Sequence, residues 1–205
     1  MKKVTLILSV CLAALYTLES CNTTSSKPLE QDATAARDNM QSVKRGEYLV
    51  NTIGCDDCHS PKKMGPQGPE VNAALRFSGY PAQRPLPPAN GDAVKNGWAL
   101  FGPDLTVAIG PWGASFAANI TSDETGIGKW TEAQFIKAIR EGKSKGLDGT
   151  RPLLPPMPWQ NFRKLNDEDL KSIYAYLKST PPVKNIVPSP IPLKDIKFKK
   201  EVRKV

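Results

Sequence analysis

Histidine is the residue this sequence has least of: His59 stands alone in 205 residues. A hydrolytic triad or a histidine-built metal site would have to be made from that one ring. Cysteine is nearly as scarce, with Cys11, Cys21, Cys55 and Cys58 making four. Two of those thiols lie in the N-terminal segment. The rest of the chain therefore offers two thiols and one imidazole, one ligand short of a structural zinc site. Nor do strands and helices alternate around the thiol pair as a thioredoxin-like dithiol requires. Long apolar runs are missing as well. The longest, Val4 to Leu18, has fifteen mostly apolar residues, too few to span a bilayer comfortably. Acidic residues are in deficit, 20 against 28 basic ones, for a net charge of +8. No nucleic-acid reading motif accompanies that excess, so nucleic acid is not an expected partner.

What is present is concentrated in two stretches. The first is Cys55-Asp56-Asp57-Cys58-His59. Two thiols three apart, with an imidazole directly after the second, form the c-type haem attachment signature. Each thiol can add across one haem vinyl group, and His59 is then placed as the proximal iron ligand. One motif implies one haem c per chain. Tying the only histidine to iron leaves none for a catalytic triad and excludes bis-histidine ligation, so no catalytic residue is expected.

The second stretch is Leu153-Leu154-Pro155-Pro156-Met157-Pro158-Trp159. A methionine thioether is a soft, weak ligand that favours ferrous iron and raises the reduction potential. Prolines on both sides restrict the backbone and pre-organise such a ligand. The other methionines are poor rivals. Met1 falls in the leader, Met40 precedes the first expected helix, and Met64 follows His59 too closely to reach the opposite haem face. Met157 is the expected second axial ligand; a gap-filling core methionine is the alternative.

The amino terminus reads as an export signal: Met1-Lys2-Lys3, the apolar stretch, then Leu18-Glu19-Ser20-Cys21. The last four residues resemble a bacterial lipoprotein box, with Glu19 as a departure from the usual pattern and Cys21 as the lipidated residue. The reading divides the chain into a leader over 1–20, a flexible polar tether over 21–40, a folded domain over 41–183 and a basic tail over 184–205. The expected location is the periplasmic side of a bacterial membrane, held there by lipid.

Within the domain, Gly46, Leu49, Val50 and Ile53 share one helical face, which predicts a helix from about Ser42 to Ile53. Thr131 to Gln134 forms a capping box ahead of Phe135, Ile136, Ala138 and Ile139, and Gly142 is the stop. Asn166 caps a last helix whose inner face is Leu170, Ile173, Tyr174 and Leu177, ended by Pro181-Pro182. Residues 61–118 hold nine prolines and eight glycines, which argues against helices. Short β-like runs at Trp98–Phe101, Thr106–Ile109 and Gly113–Ile120 predict a loop with a small hairpin, turning at Gly110-Pro111-Trp112-Gly113.

On these motifs the chain resembles the class I c-type cytochromes. Asn119-Ile120-Thr121 and Thr125-Gly126-Ile127-Gly128-Lys129-Trp130 are similar to the cytochrome subunits that accept electrons from periplasmic dehydrogenases. The resemblance implies a mainly α, class I cytochrome c fold, with crossed N- and C-terminal helices around one haem and 61–118 as a loop or small β-hairpin insertion. It implies that Gly46 lets those two helices approach against Tyr174 or Tyr176. It also implies that a proline carbonyl, of Pro66 or Pro69, orients His59. Trp112, Trp130 and Trp159 are candidate donors to a haem propionate, or ordinary core residues.

The expected function is one-electron transfer between protein partners, with no small-molecule substrate. The alternative is a haem-based sensor or enzyme in which Met157 is displaced. The basic residues of 194–204 offer a docking patch for an acidic partner or anionic lipid, or else form a solvated tail packed loosely on the domain.

Overall fold

The structure, a computed structural model, describes residues 27–199. The leader and Cys21 lie outside the described residues. The chain divides into two compact units, 1–39 and 40–205. Of the first, residues 27–39 are the opening turns of α1 (Lys27–Thr52). This helix begins at Lys27 rather than Ser42, within the stretch read as a tether. Ala33, Ala35 and Ala36 have high helix propensity, while Thr34 to Asn39 are all exposed. Propensity without an apolar face is invisible to a search for hydrophobic periodicity.

The second unit is mainly α-helical with two small antiparallel sheets. Its main core joins Leu49 and Val50 of α1 to Phe77, Ile127, Phe135, Ile173, Tyr176 and Leu177. The helices that contribute are α1, α4 (Glu132–Glu141) and α6 (Asp167–Ser179). Their ends follow the expected chemistry. Thr131 accepts the Gln134 N–H at 3.1 Å, and Gly142 takes the left-handed conformation at φ 65° that few other residues adopt cheaply. Asn166 accepts the Asp169 N–H at 2.7 Å, with three acidic residues in the first turn.

Gly46 of α1 lies against α6. A Cβ added there would collide with the Ser172 carbonyl and stand 2.7 Å from Tyr176 Cβ. Tyr176, not Tyr174, is the aromatic at this contact; Tyr174 instead donates its hydroxyl to the Trp130 carbonyl at 2.7 Å. Ser42 and Ser172 hydroxyls lie 3.2 Å apart, and Arg45 pairs with Asp169 at 2.9 Å along the same seam.

Residues 61–118 are more ordered than their composition suggests. Directly after α2 (Cys55–His59), β1 (Lys62–Gly65) and β2 (Gly68–Val71) form a hairpin, with Gly65 opposite Gly68. Asn90 caps a short helix, α3 (Gly91–Lys95), in a stretch read as helix-free. Then β3 (Leu100–Phe101), β4 (Val107–Gly110) and β5 (Gly113–Phe116) form a meander. β4 and β5 are joined at Pro111-Trp112, where the turn was expected. Gly113, at φ 98°, makes that turn possible.

The tail is part of the fold. Ile191 exchanges two backbone hydrogen bonds with Ala114, at 2.8 and 3.0 Å. Ile196 joins Val94, Ile109 and Ala114 in a second core, with Phe198 packed beside them. Through Lys199, then, the segment expected to pack only loosely on the domain covers the insertion with a buried Ile196, because that small sheet needs an apolar cover. Asn185 secures its start. Its backbone N–H donates to Thr125 Oγ1, and its side chain reaches Ser78 O, Tyr80 O and the Ala82 N–H, all within 2.7–2.9 Å.

Candidate haem site

The five residues of the attachment motif form one short helix, α2. It follows directly on α1 through Gly54, which sits at φ 76°. Cys55 packs against the main core. Burial, reinforced by the charges of Asp56 and Asp57, pushes its thiol up to about 12. Burial and Asp57 also raise Cys58. Both sulfurs are held as uncharged thiols at neutral pH.

His59 Nδ1 lies 2.8 Å from the carbonyl oxygen of Ala118. A carbonyl only accepts, so the proton sits on Nδ1 and Nε2 is the nitrogen left to ligate. Burial lowers the ring's pKa, and the Ala118 hydrogen bond only partly offsets this. The imidazole is therefore neutral at pH 7, as a metal ligand must be. The expected carbonyl of Pro66 or Pro69 is not the partner. Both prolines belong to the β1–β2 hairpin and are exposed.

The Ala118 carbonyl comes from 59 residues away and is held by two strips of chain running side by side. Tyr80 N–H donates to Ala117 O at 3.0 Å, Ile120 N–H to Phe77 O at 2.9 Å, and Gly79 N–H to His59 O at 2.8 Å. Gly79 sits at φ 75° with its α-carbon against the Ala117–Ala118 backbone, leaving no room for a side chain. The Asn119 side chain fixes the far end. Its oxygen accepts from Thr121, and its amide donates to Val183 O at 2.8 Å.

Asp56, a spacer residue of the motif, locks α2 to the rest of the domain. Its carboxylate accepts one hydrogen bond from Arg76 Nε, shared between both oxygens at 3.1 Å, and one from Nη2 at 2.6 Å. Arg76 also reaches Asn51 at 2.7 Å and the Tyr176 hydroxyl at 3.2 Å. Ser60, fully buried, donates to Asp56 at 2.6 Å and accepts from Phe77 N–H at 2.8 Å. Burial alone would raise the Asp56 carboxyl; the bonds from Arg76 and Ser60 and the nearby charges outweigh it and hold the group below its ordinary value. Lys62 lies at the C-terminal end of α2, donating to Asp57 O at 2.7 Å and to Asp104 O at 2.9 Å.

Met157 is half-buried, between Leu154, which accepts its N–H at 3.3 Å, and α5 (Trp159–Phe162). Its loop touches the meander: Ser115 Oγ donates to Pro155 O at 2.6 Å. Trp112 spends its indole N–H on the same Ser115 oxygen at 3.2 Å, and Trp159 packs on Gly142. The segment 115–118 thus touches both the motif at 55–59 and the loop at 153–158. Ala118, Asp56, Arg76, Ser60 and Ser115 carry no periodicity or motif signal of their own. Only the charge of Asp56 within the motif hints at a partner.

Among the described residues, no group of three or more His, Cys, Asp or Glu side chains is gathered to hold a metal ion by itself. The donor chemistry does fit a porphyrin: two neutral thiols, a neutral imidazole with its proton fixed on Nδ1, and an uncharged thioether loop tied to the same segment. Such a set defines the class of the c-type cytochromes, electron-transfer proteins.

Residues 43–181 match the family model for cytochrome c, and the chain belongs to that family. A nicotinate dehydrogenase subunit from Pseudomonas putida is 48% identical over 80 residues, 38% of this chain and 6% of that protein. The gluconate 2-dehydrogenase cytochrome c subunit of Pantoea cypripedii is 33% identical over 135 residues, 65% of this chain and 22% of that protein. The fructose dehydrogenase cytochrome subunit of Gluconobacter japonicus is 30% identical over 147 residues, 71% of this chain and 23% of that protein. The chain spans less than a quarter of the length of these relatives.

Proposed function

We propose that this chain carries single electrons through one covalently attached haem c, with Cys55 and Cys58 as the thioether links and His59 and Met157 as the axial ligands. The observation that carries this reading is the 2.8 Å hydrogen bond from His59 Nδ1, on the helix that also bears both thiols, to Ala118 O. It presents Nε2 in the neutral, ligating form and keeps the ring from turning. A bound haem supplies a reversible ferric/ferrous couple. The residues around it bind, orient and shield. Asp56 and Arg76 hold α2 in place, and Pro155, Pro156 and Pro158 limit the freedom of the Met157 loop. If His59 and Met157 both held the iron, no ligand position would be left for a substrate. In this reading the contact of α1 and α6 at Gly46 is the crossed-helix pair of the class I fold.

The names of the relatives suggest a place beside a dehydrogenase, receiving its electrons and passing them to a second redox protein. Lipid attachment at Cys21, after removal of a leader over 1–20, would hold the domain to the periplasmic side of a membrane. Haem staining of a denaturing gel tests the covalent link; Cys55→Ser with Cys58→Ser should abolish the stained band. The long-wavelength ferric absorption of an iron–thioether bond should be present in the wild type and lost in Met157→Ala. A wild type that lacks this absorption and binds carbon monoxide or cyanide at once would replace the carrier with a sensor or enzyme.

A further inference from the structure

The strand that leads to Ala118 also reaches the methionine loop. Ser115 lies in β5, 8% exposed, with its hydroxyl 2.6 Å from Pro155 O and 3.4 Å from Ala108 O. A hydroxyl has one proton, and the shorter contact takes it. The Trp112 indole N–H, 3.2 Å away, occupies a lone pair of the same oxygen and orients it. Pro155 stands two residues before Met157. Pro155, Pro156 and Pro158 have no N–H, so the loop's own backbone ties are few: Leu153 N–H to Gly142 O at 2.6 Å, Met157 N–H to Leu154 O at 3.3 Å, and Pro158 O accepting from Asn161 N–H at 2.9 Å and Phe162 N–H at 3.3 Å. Ser115 adds a tie from outside. Its strand is a firm post, paired with β4 on one side and with Ile191 through Ala114 on the other.

Resting on the reading of Met157 as the sixth ligand, we infer that Ser115 is a positioning residue for the iron–thioether bond. The segment 115–118 then governs both axial ligands at once. Its hydroxyl at 115 holds the Met157 loop, and its carbonyl at 118 holds His59. A thioether binds iron weakly, so its retention depends on how little the loop can move away. Losing one neutral hydrogen bond of this kind shifts such an equilibrium about fivefold.

The test uses the full-length holoprotein carrying Ser115→Ala, Ser115→Thr or Trp112→Phe, each checked for haem content and melting temperature. In Ser115→Ala the ferric thioether absorption should weaken, cyanide should bind ferric iron about fivefold faster, and the midpoint potential should fall. Ser115→Thr keeps the hydroxyl and should restore all three. Trp112→Phe should move them less, in the same direction, and decides the matter if Ser115→Ala does not fold. Variants that keep their haem and match the wild type in absorption, potential and cyanide rate would overturn the role of Ser115 and leave His/Met ligation standing. A wild type without the thioether absorption would overturn the ligation, and this inference with it.

Discussion

Single side chains at this site act through neighbours that are distant in sequence. Asp104 is an example: it is 8% exposed at the side chain, takes 2.6 Å from Arg84 Nη1 and 2.7 Å from Thr106 Oγ1, and shapes the turn that Lys62 bonds to. Burial pushes its carboxyl up, but the Thr106 and Arg84 bonds prevail and hold it below the ordinary carboxylate value. A carboxyl depressed in the fold adds stability above its unfolded value, about 3.9, and loses it as pH falls through the lower folded value. Asp104→Asn should therefore cost about 1–3 kcal/mol at pH 7. It should also lose less stability than the wild type between pH 5 and pH 2, about the range over which such a carboxylate titrates. Urea denaturation at the two pH values measures both effects. Asp56 is held by the same balance of burial against Arg76 and Ser60, which ties the motif to the fold by charge as well as by chain.

At the scale of elements, the seam between α1 and α6 depends on the missing side chain of Gly46. Any Cβ there meets the Ser172 carbonyl, which is backbone and cannot rotate away. Gly46→Val should destabilise the fold by about 2–3 kcal/mol, the usual penalty for overpacking. Ser42→Ala, which removes an exchangeable 3.2 Å hydroxyl contact at the same seam, should cost no more than about 1 kcal/mol. Chemical denaturation of the two variants side by side checks the contrast. Helices α4 and α6 were legible residue by residue, since caps, stops and apolar faces are local chemistry. The hairpin at 62–71 was not. Its Gly65-Pro66-Gln67-Gly68 corner carries the turn signal, but each strand is half-buried only at its two ends and exposed between them, so no hydrophobic alternation marks the strands.

For the molecule as a whole, the insertion and the tail pack as one body over a second core. Ile196 is the tail's buried member, 8% exposed, beside Val94, Ile109 and Ala114. Ile196→Ala should cost about 2–4 kcal/mol. The loss should be local: amide exchange should quicken in 107–116, while α1 and α6 keep their protection. Uniform acceleration across both cores would mean that the second core has no independent role. Because 115–118 belongs to this body and touches both candidate ligand segments, loosening it should also weaken the ferric thioether absorption.

Residue identity alone limits which chemistry this chain can host. One histidine after a Cys-x-x-Cys and one proline-flanked methionine are covalent facts, and no fold of these residues can add a second imidazole. The sequence also determined the helices that close the main core, because their periodicity and caps act over a few residues. Tertiary structure alone decided what holds those groups in place. The carbonyl on His59 is that of Ala118, not of a nearby proline, and the carboxylate within the motif is matched by Arg76. Any backbone carbonyl and any arginine could have filled these roles. The choice rests on which of them the folded chain brings within 3 Å, and side-chain identity carries no record of that.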